Sequence, residues 1–71
     1  MNSKQFLASI RRLGRKRGLD VRLDKKRGKG SHALLYVGNR RTVLPNHKDD
    51  IGTGLLKSMC RDLGITRDAL K

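Results

Sequence analysis

Apolar residues recur at helical spacing near the start of the chain. Phe6, Leu7, Ile10 and Leu13 fall three and four apart and form one stripe. This predicts a helix from Asn2 to about Arg17, with Asn2 or Ser3 placed to cap its start. Gly14 weakens the last turns by about 1 kcal/mol relative to Ala, so the helix ends there or at Gly18. The period then changes to two. Leu19, Val21 and Leu23 alternate with Asp20, Arg22 and Asp24, the signature of a half-buried strand. Lys25-Lys26-Arg27-Gly28-Lys29-Gly30-Ser31 follows and reads as an exposed basic loop. A second strand is expected from about His32 to Val37 and a third from about Arg40 to Leu44. Gly38-Asn39 between them suits a two-residue hairpin turn. Pro45 has no N–H to give a ladder and ends the third strand.

Asn46 to Ile51 read as a polar loop. Helical spacing returns with Leu55, Leu56, Met59, Cys60 and Leu63, predicting a second helix from Gly52 or Thr53 to Leu63. Gly64 is placed as a left-handed stop, with Ile65 positioned to pack back on the helix. Thr66 is placed to cap a last short turn through Leu70.

The order is helix, strand, strand, strand, helix: an α+β, α-β-β-β-α chain. A three-stranded antiparallel sheet with both helices on one face buries every stripe at once. Double-stranded-RNA-binding domains share this order, though order alone says little about function. At 71 residues the chain is expected to be one domain, 1–71. A domain of this size buries only about 60% of its unfolded surface. Its core is thin, and no bound cofactor is expected.

Charge narrows the partner. Eighteen Lys and Arg stand against six Asp and Glu, a formal net charge of +12. That exceeds what solubility needs and attracts polyanions from a distance. Phe6 and Tyr36 are the only aromatic residues, too few for a platform that stacks successive bases. Binding therefore rests on phosphate contacts and shape. Cys60, the single cysteine, permits no internal disulfide and no multi-cysteine zinc site. Among apolar neighbours it reads as a small buried hydrophobe. No apolar run approaches the roughly 18 residues of a membrane span, and no signal peptide is evident at the N-terminus. The expected location is cytoplasmic, with no membrane partner.

His32 is the strongest candidate for chemistry, because it stands where the basic loop runs into a strand. A side chain there is held by the sheet and open to solvent, and histidine exchanges protons near neutral pH. Cutting RNA without a metal needs a base for the 2′-hydroxyl proton, an acid for the leaving oxygen and cations on the phosphate. The cations at hand are Lys25, Lys26, Arg27 and Lys29. Ser31 has no acid–base triad around it and reads as turn chemistry or a phosphate hydrogen bond. His47 is either a second proton carrier, a phosphate contact or a loop histidine with a structural hydrogen bond. Since strand residues alternate, one of Arg40 and Arg41 faces solvent with the phosphate surface; the competing reading is an edge charge that discourages strand pairing. Gly52-Thr53-Gly54 completes no nucleotide-binding fingerprint.

Three stretches together resemble the HicA (YcfA-like) toxin family. They are Gly30-Ser31-His32 with the Tyr36 strand, then Arg40-Arg41-Thr42-Val43-Leu44-Pro45-Asn46-His47, then Ile51-Gly52-Thr53-Gly54-Leu55-Leu56-Lys57 running into Cys60-Arg61-Asp62-Leu63-Gly64-Ile65. The resemblance spans Phe6 to Leu70. It implies a double-stranded-RNA-binding-type fold, an mRNA-cleaving activity and a HicB-type antitoxin that masks the surface around the histidine. The histidine of the family's Gly-Ser-His motif maps onto His32. His47 matches a histidine frequent in the family after the third strand. The stretch from Leu19 to Gly30 is longer and more basic than is usual in the family, and Lys25 to Lys29 are expected to extend the contact to RNA or antitoxin. The alternative function is a non-catalytic RNA-binding module of the double-stranded-RNA-binding type. It accounts for charge and element order but leaves Gly30-Ser31-His32 at the loop–strand junction unexplained.

Overall fold

The computed structural model describes residues 1–25, 32–45 and 50–70. Helix α1 spans Ser3–Arg17. The Asn2 side chain accepts from the Gln5 N–H at 2.8 Å, and the Gln5 side chain accepts from the Asn2 N–H at 2.9 Å, a reciprocal capping box. The helix runs through Gly14 and stops at Gly18, where φ is +68°. Strands β1 (Val21–Asp24), β2 (His32–Val37) and β3 (Arg40–Pro45) make an antiparallel sheet in the order β1-β2-β3. Gly38, at φ +60°, opens the two-residue turn between β2 and β3, and its N–H bonds the Asp20 carbonyl at 2.8 Å. Helix α2 spans Thr53–Leu63 and ends at Gly64, φ +69°. The Ile65 N–H returns to the Cys60 carbonyl at 2.9 Å. A 3-10 turn at Arg67–Leu70 closes the described chain.

The expected α-β-β-β-α order is the observed one, and it is compatible with the double-stranded-RNA-binding fold. Both helices cover one face of the sheet. Alternate residues Ala33, Leu35 and Val37 of β2 are buried, with Thr42 and Leu44 of β3 beside them. Leu35, Val37 and Leu44 form one cluster with Phe6 and Ile10 from α1 and Leu56, Met59, Cys60 and Leu63 from α2. Phe6, Ile10, Leu35 and Met59 are wholly buried. Two polar contacts tie the helices to the sheet, and a third joins α1 to the 3-10 turn. The Ser3 hydroxyl donates to the Pro45 carbonyl. The Thr42 hydroxyl donates to the Asp62 carboxylate at 2.8 Å. Arg12 Nη2 donates to the Leu70 carbonyl at 3.2 Å.

Gly14 serves packing. It is buried, and a Cβ built on it lies 2.5 Å from Val21 Cγ2 and 3.0 Å from the Leu19 carbonyl oxygen. The absent side chain lets α1 approach the start of β1. Gly54, in the first turn of α2, has open space around the same position. The two glycines therefore respond oppositely to one change. Gly14→Ala gains about 1 kcal/mol of helix propensity but incurs an overpacking cost of roughly 1–3 kcal/mol, for a net loss of about 1 kcal/mol. Gly54→Ala stabilises by about 0.5–1 kcal/mol. Urea denaturation of the two variants checks both signs.

Candidate functional site

Among the described residues, no helix covers the other face of the sheet, its open face. The register sets its side chains in rows: Arg22, Tyr36 and Arg41 form one, and Asp24, Leu34 and Val43 the next. His32 follows Leu34 on the same face of β2 and pairs with Pro45. Arg22, His32, Arg41 and Val43 are exposed; Asp24, Leu34 and Tyr36 are half-buried. The Arg22 guanidinium lies over the Tyr36 ring, with Cζ 5.1 Å from the centroid, within range of an attractive cation–π contact.

His32 is therefore an exposed imidazole at the first residue of the central strand. Pairing with β3 sets its position in the sheet. Its partner Pro45 is tied to α1 through Ser3, and the Ile51 N–H bonds the Met1 carbonyl at 2.7 Å, holding the chain that leads into α2 against the start of α1.

Arg41 shares the open face with His32. Arg40 does not. It pairs with Val37 on the helix-facing side, and its guanidinium lies against Gly64, where a built Cβ falls 2.8 Å from Arg40 Cζ and Nε. That places a cation at the C-terminal end of α2, where the helix dipole favours it. Lys25 is exposed just after β1. Lys26, Arg27, Lys29, Ser31 and His47 lie outside the described residues. Arg11 and Arg22 carry no motif and were missed by sequence reasoning. Together with Leu23, Asp24 and Lys25 they line an open groove of about 540 Å³ beside β1.

Cys60 is buried. Burial pushes its thiol above the ordinary value, and the Arg67 charge pulls weakly the other way. A thiol held protonated is not a nucleophile, and Cys60 acts as a core residue. Among the described residues, no three His, Cys, Asp or Glu side chains group as a metal site, and no helix is long and apolar enough to cross a membrane.

A family model described as the HicA toxin of bacterial toxin–antitoxin systems matches residues 16–65. The chain belongs to the HicA toxin family. No curated protein and no solved structure matches it. HicA membership implies an antitoxin partner, and the family is generally one of ribonucleases. The HicA match takes in all three strands and α2, including His32 and Arg41, but leaves most of α1 outside.

The two adjacent arginines separate by experiment. Arg40→Ala should cost about 0.5–1 kcal/mol of stability by removing the cation at the end of α2. Arg41→Ala should stay within about 0.5 kcal/mol of the parent, as expected for an exposed side chain without such a role. Paired urea melts of the variants read the difference.

Proposed function

We propose that this HicA-family chain is a cytoplasmic, metal-independent endoribonuclease that cleaves mRNA, with His32 as its catalytic residue, neutralised by a HicB-type antitoxin that covers the His32 surface. One observation carries the reading: His32 is exposed at the head of the central strand, on the open face that also bears Arg22 and Arg41. Family membership supports the reaction class.

In this mechanism the His32 imidazole takes the proton of a ribose 2′-hydroxyl. The 2′-oxygen forms a bond to the adjacent phosphorus, and the bond from phosphorus to the 5′-oxygen breaks. The leaving oxygen takes a proton from a second donor, either His47 or water. The products are a 2′,3′-cyclic phosphate and a 5′-hydroxyl. Arg41 and the run Lys25, Lys26, Arg27 and Lys29 hold the phosphate and offset the charge that grows on it, with Ser31 as a further hydrogen-bond donor. Arg40 keeps an expected phosphate contact only as far as its seat at the end of α2 allows. An antitoxin covering His32 blocks attack by occupying the same face.

Expression of the chain alone should arrest growth, and His32→Ala should relieve the arrest. In vitro, His32→Ala should lower the cleavage rate by at least 100-fold, the lower range for loss of a proton-transfer group. Cleavage should persist in chelator, and the new ends should carry cyclic phosphate. A His32→Ala protein that cuts at the parental rate removes the histidine mechanism. A parental chain that binds RNA without cutting it makes the protein a binding module instead.

A further inference from the structure

The groove beside β1 shares only Lys25 with the phosphate contacts proposed for the His32 chemistry, and its residues come from two elements. Arg11 projects from α1, while Arg22 and Lys25 come from β1 and the residue that follows it. β1 is an edge strand, so the groove runs along the free side of the sheet, between the helix layer and the open face. Three cations and one carboxylate, Asp24, line it, leaving two net positive charges. Arg11 lies outside the stretch matched by the family model.

Arg22 joins the groove to the open face. Its guanidinium rests on Tyr36, which limits the rotamers of a long side chain and leaves the planar edge with its N–H donors available to an anion. Tyr36 stands four residues along β2 from His32, on the same face, a separation of about 13 Å at strand rise. That is the reach of a few nucleotides. On α1, Lys4 and Arg15 lie seven and four residues from Arg11 and continue its exposed flank. The arrangement suits a chain of phosphates rather than a base: one face of the Tyr36 ring is already covered, and the other described groove residues offer charge and no ring.

We propose that the groove formed by Arg11, Arg22 and Lys25 is a phosphate-binding subsite that holds a single RNA strand a few nucleotides from the bond at His32. The choice of RNA as ligand rests on the function proposed above; the groove itself rests on the three convergent cations. Its contribution is binding and register, not proton transfer. A strand engaged at both places crosses the open face and turns around the edge of β1 toward α1.

The test is binding of a short 2′-O-methyl RNA strand, which lacks the 2′-hydroxyl needed for cleavage, followed by fluorescence anisotropy across a salt series. Each phosphate contact on a single strand contributes about 0.7 to the slope of log K against log salt. Arg11→Gln with Arg22→Gln should weaken binding about tenfold or more and flatten the slope by about 1.4. Lys57→Gln with Arg61→Gln makes the same charge change on exposed residues of α2, which packs over β3 rather than β1, and should leave the slope unchanged. If removing Arg22 from Tyr36 unfolds the double variant, Arg11→Gln alone decides, with an expected change of about 0.7. Equal affinity losses in the groove and α2 variants, or an unchanged slope in the groove variants, overturn the subsite. Cleavage of ordinary RNA by parent and His32→Ala is read separately, so loss of the subsite and loss of the catalytic reading are distinguishable.

Discussion

The register of β2 decides what the molecule shows to its surroundings. Ala33, Leu35 and Val37 point to the helices, and His32, Leu34 and Tyr36 point away. A slip of one residue exchanges the two sets. It would bring an imidazole and a phenol against Phe6 and Met59 and expose Leu35 and Val37, each worth about 1.5–3 kcal/mol when buried. Both ends of the strand oppose that slip. At one end, Gly38 takes a positive φ and closes β2 onto β3 in two residues. At the other, Ser3 bonds the carbonyl of Pro45, the residue paired with His32. The exposure of the histidine is thus a consequence of core packing.

The elements were legible because their causes are local. Helical stripes, a Gly38-Asn39 turn and left-handed glycine stops at Gly18 and Gly64 each need only a few neighbouring residues. β1 is shorter than the alternation of Leu19, Val21 and Leu23 suggests, because the Leu19 N–H bonds the Gly14 carbonyl at 2.8 Å and completes the helix stop instead of joining the sheet. Gly14 shows the limit. Sequence gives it a weak helix position, but its purpose depends on Val21, a partner seven residues away on another element.

The open face was harder to read for a related reason. Alternation fixes that Arg40 and Arg41 point to opposite sides, but not which points where. Hydrophobicity in β3 misleads, since apolar Val43 is 48% exposed while Thr42 is 4% exposed. Pairing with β2 overrides it: Thr42 sits opposite Leu35 and beneath α2. A buried hydroxyl without a partner is costly, and its bond to the Asp62 carboxylate offsets that cost. Once Thr42 faces inward, Arg41 must face outward with Tyr36 and His32. The groove cations Arg11 and Arg22 were invisible for want of any spacing rule linking a helix flank to an edge strand.

The positive charge divides along the same line. Part of it serves the fold: Arg15, Lys16 and Arg17 occupy the last turn of α1, and Arg61 the last turn of α2, with Arg40 against Gly64. There cations meet the negative ends of helix dipoles, a contribution of about 0.3–1 kcal/mol each at exposed sites. Arg11, Arg22, Lys25 and Arg41 have no helix end to neutralise. They stand on the groove and the open sheet face, where a chain with a net charge of +12 adds to its own repulsion by keeping them. A thin core offsets little of that repulsion. An anion that binds the folded face and not the unfolded chain relieves it, and mass action then stabilises the fold. Arg22 and Arg41 thus stand on the face that carries His32, with Arg11 and Lys25 in the adjoining groove, where a phosphate backbone or an acidic protein surface would gain by covering them.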